Sequence, residues 1–181
     1  GVQTCSLPIF KELIKNHNNL LDNSIKIIFY NMSSYYNFIE GNYTEALQWI
    51  NMLLYNNEMK YFIEMYCNAK WFELLIHFEM GNYIYIDNVL NTNERYIDKR
   101  QKLYGIEKLM IRFLGKAWIA DENERMELLE KLLIDIRKIT GKQTDSDYGV
   151  DYYNIAEWVR SKIEKKTYKK ILKEDRSAET D

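Results

Sequence analysis

The sequence predicts an all-α domain, and three observations support this prediction. Apolar residues recur at intervals of three and four positions over most of the 181 residues, which is the spacing of one helix face. The single proline is at position 8, so nothing after it interrupts a long helix. The phrase Phe-x-x-Gly-Asn-Tyr occurs twice, at 38–43 and at 78–83. Together these patterns predict helices that are joined in pairs by short turns.

The two glycine turns are the strongest local signal. A helix often ends in a residue with positive φ, and glycine adopts that conformation at almost no energetic cost. Asn42 and Asn82 follow the glycines and are expected to cap the next helix through their side-chain oxygens. Turns this short make the two joined helices antiparallel neighbours. We therefore expect one hairpin around Gly41 and a second around Gly81.

Each predicted helix of the two hairpins has an apolar stripe that should face the other helices. The first stripe, over 24–40, consists of Ile28, Met32, Tyr35 and Ile39. The second, over 43–56, consists of Leu47, Ile50 and Leu54. The third, over 59–80, consists of Phe62, Met65, Ala69, Phe72 and Ile76. These stripes predict the buried residues of both hairpins.

Four further helices are predicted after the second turn, over 83–97, 100–119, 122–140 and 150–173. Gly141 suits the end of the third of these, and 142–149 has the composition of a loop. The last helix, with Tyr152, Ile155, Val159 and Ile163 on one side, is predicted to cap the open end of the helical array. Residues 174–181 contain no large apolar side chain and are predicted to be a disordered tail.

The first nine residues differ from the rest of the chain. Gly-Val-Gln-Thr-Cys-Ser-Leu-Pro-Ile resembles a translated sequencing adapter, from which it departs at Ser6. We interpret 1–9 as a non-native segment, 10–173 as a single helical-repeat domain, and the native N-terminus as missing. The segment 10–21 is helical in pattern but is interrupted by polar residues around His17.

The turns resemble those of tetratricopeptide repeats, in which a glycine and an aromatic residue lie between two helices with small residues at their contact. Two departures are Leu74 and Ile86, which stand where small residues are usual, and the closing proline is absent. Gly41 and Gly81 are 40 residues apart and Gly81 and Gly115 are 34 apart, against a repeat of about 34 residues. The residues that match the family's turn and contact positions are Ser34, Gly41, Tyr43, Ala46, Gly81, Tyr83 and, in a fainter third unit, Gly115.

The resemblance implies a short α-solenoid of stacked hairpins, similar to poorly characterised bacterial proteins, and a peptide-binding groove along the first helix of each hairpin. Asparagine amides in such a groove would hold a peptide backbone, and cations would meet a carboxylate. The alternative for the aromatic members is that they fill the core. The groove positions in this sequence are Asn31, Tyr35, Asn68, Trp71, Lys102 and Arg112.

Composition argues against several other functions. The formal net charge is −2, and acidic residues interrupt the lysine series of the last helix, so solvated helix faces explain these lysines better than a nucleic-acid interface. The two histidines are 60 residues apart and no cysteines are paired in a zinc pattern, so neither a metal nor a cofactor is expected. Cys67, alone in an apolar helix, is expected to be buried rather than catalytic, in a protein of the reducing cytoplasm.

The sequence therefore predicts a non-enzymatic scaffold that binds a protein or peptide segment, with no small-molecule substrate and no membrane span. An alternative is a regulatory or sensor fragment of a larger protein whose missing N-terminal part carries the output, such as DNA binding. An upstream helix-turn-helix in the complete gene would favour that alternative. An enzyme would require a pocket with convergent titratable groups.

Overall fold

The computed structural model describes Glu12 and residues 22–100, 105–140 and 153–178. Within these residues the chain forms eight α-helices and one short 3₁₀ helix, and no strand. The α-helices are α1 (Asn23–Ile39), α2 (Tyr43–Leu54), α3 (Ile63–Glu79), α4 (Tyr83–Arg100), α5 (Gly105–Ala117), α6 (Glu122–Thr140), α7 (Ile155–Ile163) and α8 (Tyr168–Ala178). The prediction of an all-α protein is confirmed.

Consecutive helices pack against each other along the chain, from α1 with α2 to α7 with α8, and α3 also packs against α5. The predicted helix 122–140 coincides with α6. The predicted helix 59–80 is shorter, because a 3₁₀ helix (Asn57–Tyr61) precedes α3 and the chain leaves helical geometry at Phe62. The side chain of Asn56 accepts a hydrogen bond from the backbone N–H of Glu58, which starts this short helix as a separate element.

The turns at Gly41 and Gly81 have the same geometry. Their φ angles are 79° and 71°, so both glycines occupy the left-handed region as expected. The N–H of Asn42 donates to the carbonyl of Asn37 at 2.8 Å, and that of Asn82 donates to His77 at 2.9 Å, which closes each helix end. The expectation that Asn42 caps α2 with its side chain is wrong, since it makes no such hydrogen bond.

The interiors of the two hairpins differ at the positions that the repeat pattern singled out. Ser34 donates a 2.8 Å hydrogen bond to the carbonyl oxygen of Ala46, so α1 and α2 approach closely there. In the second hairpin the corresponding residues, Leu74 and Ile86, are both fully buried. Ring contacts close the two turns, Phe38 with Tyr43 and Phe78 with Tyr83.

Gly115 was predicted to mark a third repeat turn, and that prediction is wrong. It lies inside α5, where a Cβ would be 3.0 Å from the Leu90 side chain, so it allows α4 and α5 to approach. The turn comes after Ala117 and uses other chemistry. Asp121 and Glu124 each accept a hydrogen bond from the other's backbone N–H, a capping box that starts α6. Arg125 donates to the carbonyls of Ala117 and Ala120.

The predicted helix 150–173 is two helices, α7 and α8, so the expectation of one capping helix is wrong. The chain reverses at Lys165, which has a φ of 51°. The N–H of Lys166 donates to the carbonyl of Ser161 at 3.0 Å, the same closure that the two glycine turns show. A lysine is uncommon at this position. The sequence therefore carried no glycine signal for this turn.

The prediction of a disordered tail over 174–181 is also wrong in part. Helix α8 continues to Ala178, and Asp175 forms an ion pair with Arg160. The predictions for 1–9, for 10–21 apart from Glu12, for Gly141 and for the loop 142–149 fall outside the described residues.

The predicted apolar stripe of α1 is correct for Tyr35 and Ile39, which pack against the core, and wrong for Ile28 and Met32. Ile28 and Met32 are 51% and 63% exposed, whereas Ile27 and Phe38 are almost fully buried. In contrast, α3 is buried on every side over its C-terminal half, from Trp71 to Phe78. Because α3 contacts α2, α4 and α5 as well as the C-terminal segment, no side of this half faces water. This helix is the centre of the core.

Candidate peptide-binding face

Asn31 and Tyr35 on α1, together with Trp71 and Phe72 on α3, lie on one side of the molecule and contact the same residue, Tyr153. We call these four residues the first-helix face, because they lie on the first helices of the two hairpins. Three of the four were predicted to line a peptide groove. The structure brings them together, and it fills the space between them with the chain's own C-terminal segment, which was not predicted.

Tyr153 is 1% exposed, and rings on both first helices surround it. It stacks on Phe72 with ring centroids 4.1 Å apart and planes 5° from parallel. Trp71 and Tyr35 each contact its ring edge to face at 5.3 Å. Its hydroxyl donates a 2.8 Å hydrogen bond to Oδ1 of Asn31. The face thus provides an apolar pocket for the ring and an acceptor for its polar end, which is how a buried tyrosine is normally satisfied.

Hydrogen bonds also fix the residue next to Tyr153. The side-chain amide of Asn154 donates to the hydroxyl of Tyr35 at 3.0 Å. The Tyr168 hydroxyl lies within hydrogen-bond distance of the Tyr35 hydroxyl and of the carbonyl oxygens of Tyr153 and Asn154. Asn154 has a φ of 43°, a conformation that asparagine tolerates better than most residues, and it starts α7. The face therefore holds the side chains of Tyr153 and Asn154, while Tyr168 of the same C-terminal segment binds the main chain between them.

Trp158, on α7, is a second anchor of the C-terminal segment. Its ring contacts Phe78 of α3 and Phe113 of α5, and its indole N–H donates to Oε1 of Glu79 at 2.6 Å. Nζ of Lys162 is 2.6 Å from the second oxygen of the same carboxylate. Glu79 is therefore a buried carboxylate with a charged and a neutral donor.

Tyr43 connects Glu79 to the first hairpin. Burial, and then the charge of Glu79 and a hydrogen bond to it, raise the pKa of the Tyr43 hydroxyl far above its ordinary value. This phenol consequently stays a neutral donor throughout the pH range in which proteins fold. The predicted turn residue Tyr43 thus also holds the carboxylate that binds the C-terminal helices.

Several lysines of the C-terminal helices are paired, although the sequence favoured solvated faces for the whole series. Lys169 is 2.7 Å from Glu40 of the first hairpin, and Lys166 is 2.9 Å from Glu174 on α8. A hydrogen bond to Glu40 raises the pKa of Lys169, as hydrogen bonds to Glu164 and Glu174 do for Lys166. Both ion pairs are partly exposed, so solvent screens the charges and each pair contributes little to stability. Their role is to orient α7 and α8.

Of the other predicted groove residues, the structure describes Asn68 and Arg112. Asn68 is half-buried and accepts a long hydrogen bond, 3.4 Å, from the indole of Trp71, so it orients that ring. Lys102 lies outside the described residues. Arg112 is exposed and lines a groove of about 440 Å³ between α5 and α6. The described members of the predicted set therefore lie either on or beside the occupied first-helix face, or, in the case of Arg112, in an open groove.

Sequence reasoning missed Tyr153, Trp158, Tyr168 and Glu79. The reason is the prediction of a single helix over 150–173. Its periodicity placed Tyr152 on the inner face and so left Tyr153 off that face. The helix starts only at Ile155, after the left-handed Asn154, so Tyr153 follows no helical spacing. The spacing of large aromatic residues in Tyr153–Trp158 was the available signal.

A buried polar cluster lies in the second hairpin, away from the first-helix face. The His77 ring stacks on Tyr85 at 3.9 Å, and its Nδ1 is 3.1 Å from the amide nitrogen of Asn82. Tyr85 donates to Glu73 at 2.9 Å. Burial lowers the pKa of His77, against the opposing charge of Glu73. Each group has a partner, so the cluster has a structural explanation in cross-linking α3 and α4.

Other chemical features are sparse in the described part of the chain. No group of three or more His, Cys, Asp or Glu side chains there is placed to hold a metal ion. Cys67 is buried, as expected. None of the described helices combines the length and the hydrophobicity needed to cross a bilayer. The arrangement that the structure offers is one for recognition through rings, amides and ion pairs.

Comparison of the chain with protein-family models, with curated proteins and with solved structures gives no match.

Proposed function

We propose that this protein is a non-enzymatic scaffold that binds a protein segment on the first-helix face, and that its hairpins stack in the tetratricopeptide manner. The observation that supports this most is the seating of Tyr153. A ring stacked at 4.1 Å, a hydroxyl bound by Asn31 and a neighbouring asparagine side chain bound by the Tyr35 hydroxyl are the contacts by which a protein segment is recognised.

The present occupant of the face is the chain's own C-terminal segment. A partner segment must therefore compete with Tyr153 and its neighbours for the same rings and the same amide. The intramolecular segment has the advantage of a high effective concentration, so that partner binding is weak until the segment is loosened. This makes the C-terminal helices part of the binding function as well as part of the fold.

A titration with the chain's own segment tests the proposal. A fluorescent peptide of residues 153–178 is added to the 181-residue protein and to its Tyr153→Ala variant, and anisotropy is measured. We expect the variant to bind the peptide at least about tenfold more tightly than the wild type, because its own segment has lost the anchoring ring. A peptide with the same Tyr153→Ala change is the control and should bind neither protein well.

Two further measurements make this test decisive. Circular dichroism must show that Tyr153→Ala keeps its helices, and Tyr153→Phe, which keeps the ring, provides a milder variant if it does not. A folded variant that binds the peptide no better than the wild type would mean that the face is a permanent core contact, and would contradict the proposal.

A further inference from the structure

The groove between α5 and α6 is a second surface, separate from the first-helix face. Each helix contributes four residues with the same spacing, at i, i+3, i+4 and i+7. They are Leu109, Arg112, Phe113 and Lys116 from α5, and Leu128, Lys131, Leu132 and Asp135 from α6. This repeated spacing brings two apolar residues from each helix to the floor and places the charged residues along the rim.

The floor is apolar and partly open to solvent. Phe113 and Leu132 are each 4% exposed, while Leu109 and Leu128 are half-buried. The rim residues Arg112, Lys116 and Lys131 are exposed. A groove with such an open rim suits a segment that lies along it, rather than a small ligand, which would be enclosed over most of its surface.

The charges of the rim favour one sign of partner. Arg112, Lys116 and Lys131 form no ion pair or hydrogen bond with any described residue. The acidic member of the lining, Asp135, is 3.0 Å from Nζ of Lys138 and so is already partnered. Three cations that have no partner in the described part of the chain thus flank an apolar strip in a protein with a net charge of −2. A local positive field of this kind attracts an acidic segment and repels a basic one.

We infer that the α5–α6 groove binds an acidic amphipathic helix of a partner protein. Its apolar residues, spaced at i, i+3 or i+4, and i+7, would cover Leu109 and Leu128, the half-buried residues of the floor. Its flanking Asp or Glu side chains would pair with Arg112, Lys116 and Lys131. This surface extends the proposed scaffold function, but its evidence is independent of the first-helix face.

The inference can be tested with a designed peptide of about 16 residues that presents leucines at helical spacing between glutamates. Its matched control carries lysines in place of the glutamates. Each labelled peptide is titrated into the 181-residue protein, and binding is followed by anisotropy. We expect binding of the acidic peptide that weakens as salt is raised, and at least about tenfold weaker binding of the basic peptide.

Protein variants then locate the site. Arg112→Glu combined with Lys131→Glu should reduce binding of the acidic peptide at least about tenfold. Lys170→Glu, an exposed lysine of α8 outside the groove, should leave it unchanged. The rim residues are exposed, so the double variant should fold, and circular dichroism verifies this. Replacing Tyr153 should not alter this binding, which separates it from the proposed function.

Three results would overturn the inference. The first is equal binding of the acidic peptide to wild type and to the double variant. The second is equal binding of the acidic and basic peptides. The third is binding of laurate or of anionic vesicles by the wild type, lost in the double variant, with no binding of the acidic peptide, which would assign the groove to an amphiphile or a lipid surface instead.

Discussion

The first and second hairpins have the same turn and different surroundings. Residues 40 apart correspond, so that Gly41 matches Gly81 and Met32 matches Phe72. The glycines have nearly equal φ angles, yet Met32 is 63% exposed while Phe72 is completely buried. The difference arises because Tyr153 covers Phe72 and nothing equivalent in the described chain covers Met32. Turn geometry is therefore local, whereas burial depends on distant segments.

The largest contrast should be seen at those corresponding positions. Phe72→Ala removes a ring that packs on Tyr153 and should reduce the free energy of unfolding by about 3–5 kcal/mol. Met32→Ala should change it by no more than about 0.5 kcal/mol, since the side chain is exposed. Chemical denaturation of both variants measures the difference. Equal losses in the two variants would mean that the hairpins are equivalent after all.

An exchange of the contact residues sharpens the comparison. Leu74→Ala leaves a cavity in a fully buried site and should cost about 2–5 kcal/mol. Ser34→Leu, which gives the first hairpin the residue of the second, should cost about 1–3 kcal/mol. The larger leucine side chain would have to fit where the Ser34 hydroxyl lies 2.8 Å from the carbonyl oxygen of Ala46, so the two helices would be pushed apart. A stabilising Ser34→Leu substitution would show that the first hairpin has free space at this contact.

Substitutions at the turn residues Gly41 and Gly81 should change stability in the opposite direction to a substitution at the turn residue Lys165. Gly41→Ala and Gly81→Ala should each destabilise the protein by about 1 kcal/mol, because φ is positive at both and no neighbouring atom is close enough to matter. Lys165→Gly should instead stabilise by up to about 1 kcal/mol, since it relieves the same conformation in a residue with a side chain. Thermal unfolding monitored by circular dichroism separates these signs. Loss of stability in Lys165→Gly would indicate that the lysine side chain has a role in this turn.

A smaller effect distinguishes the hairpins by pH. His77 corresponds to Asn37, which is buried and does not titrate. Burial holds the pKa of the folded His77 imidazole below its unfolded value of 6.5. As the pH falls, the unfolded state is therefore protonated at this histidine before the folded state is. The contribution of the neutral His77 imidazole to the free energy of unfolding is therefore fully present above pH 6.5. It is lost as the pH falls toward the pKa of the folded state.

The substitution His77→Asn tests this by giving the second hairpin the residue of the first. We expect the free energy of unfolding to depend less on pH between 7 and 5 in the variant than in the wild type. Urea denaturation at several pH values measures the two slopes. Identical slopes would show that His77 does not titrate differently in the folded protein.

The comparison also explains which features the sequence could predict. The all-α class, the two glycine turns and the bounds of α6 depend on local spacing and local hydrogen bonds, and all were predicted. The exposure of Ile28 and Met32 on α1 was not predicted, because these two residues have a helical spacing as regular as that of the buried Ile27 and Phe38. The choice between the two faces depends on what packs against the helix.

The candidate site was predicted in part for the same reason. The groove positions Asn31, Tyr35 and Trp71 followed from the repeat resemblance, and they do lie together. Their occupant could not be predicted, since the contact joins residues more than 100 apart in the sequence, such as Asn31 and Tyr153. A left-handed Asn154 and a left-handed Lys165 also hid the true boundaries of the two C-terminal helices.

The C-terminal segment is seated on the first-helix face through Tyr153. A double-mutant cycle with Phe72→Leu and Tyr153→Leu tests this contact directly, with the free energy of unfolding measured for the wild type, both single variants and the double variant. Stacking at 4.1 Å predicts a coupling energy of about 0.5–1.5 kcal/mol between the two positions. Strict additivity of the two substitutions would contradict this seating of the segment.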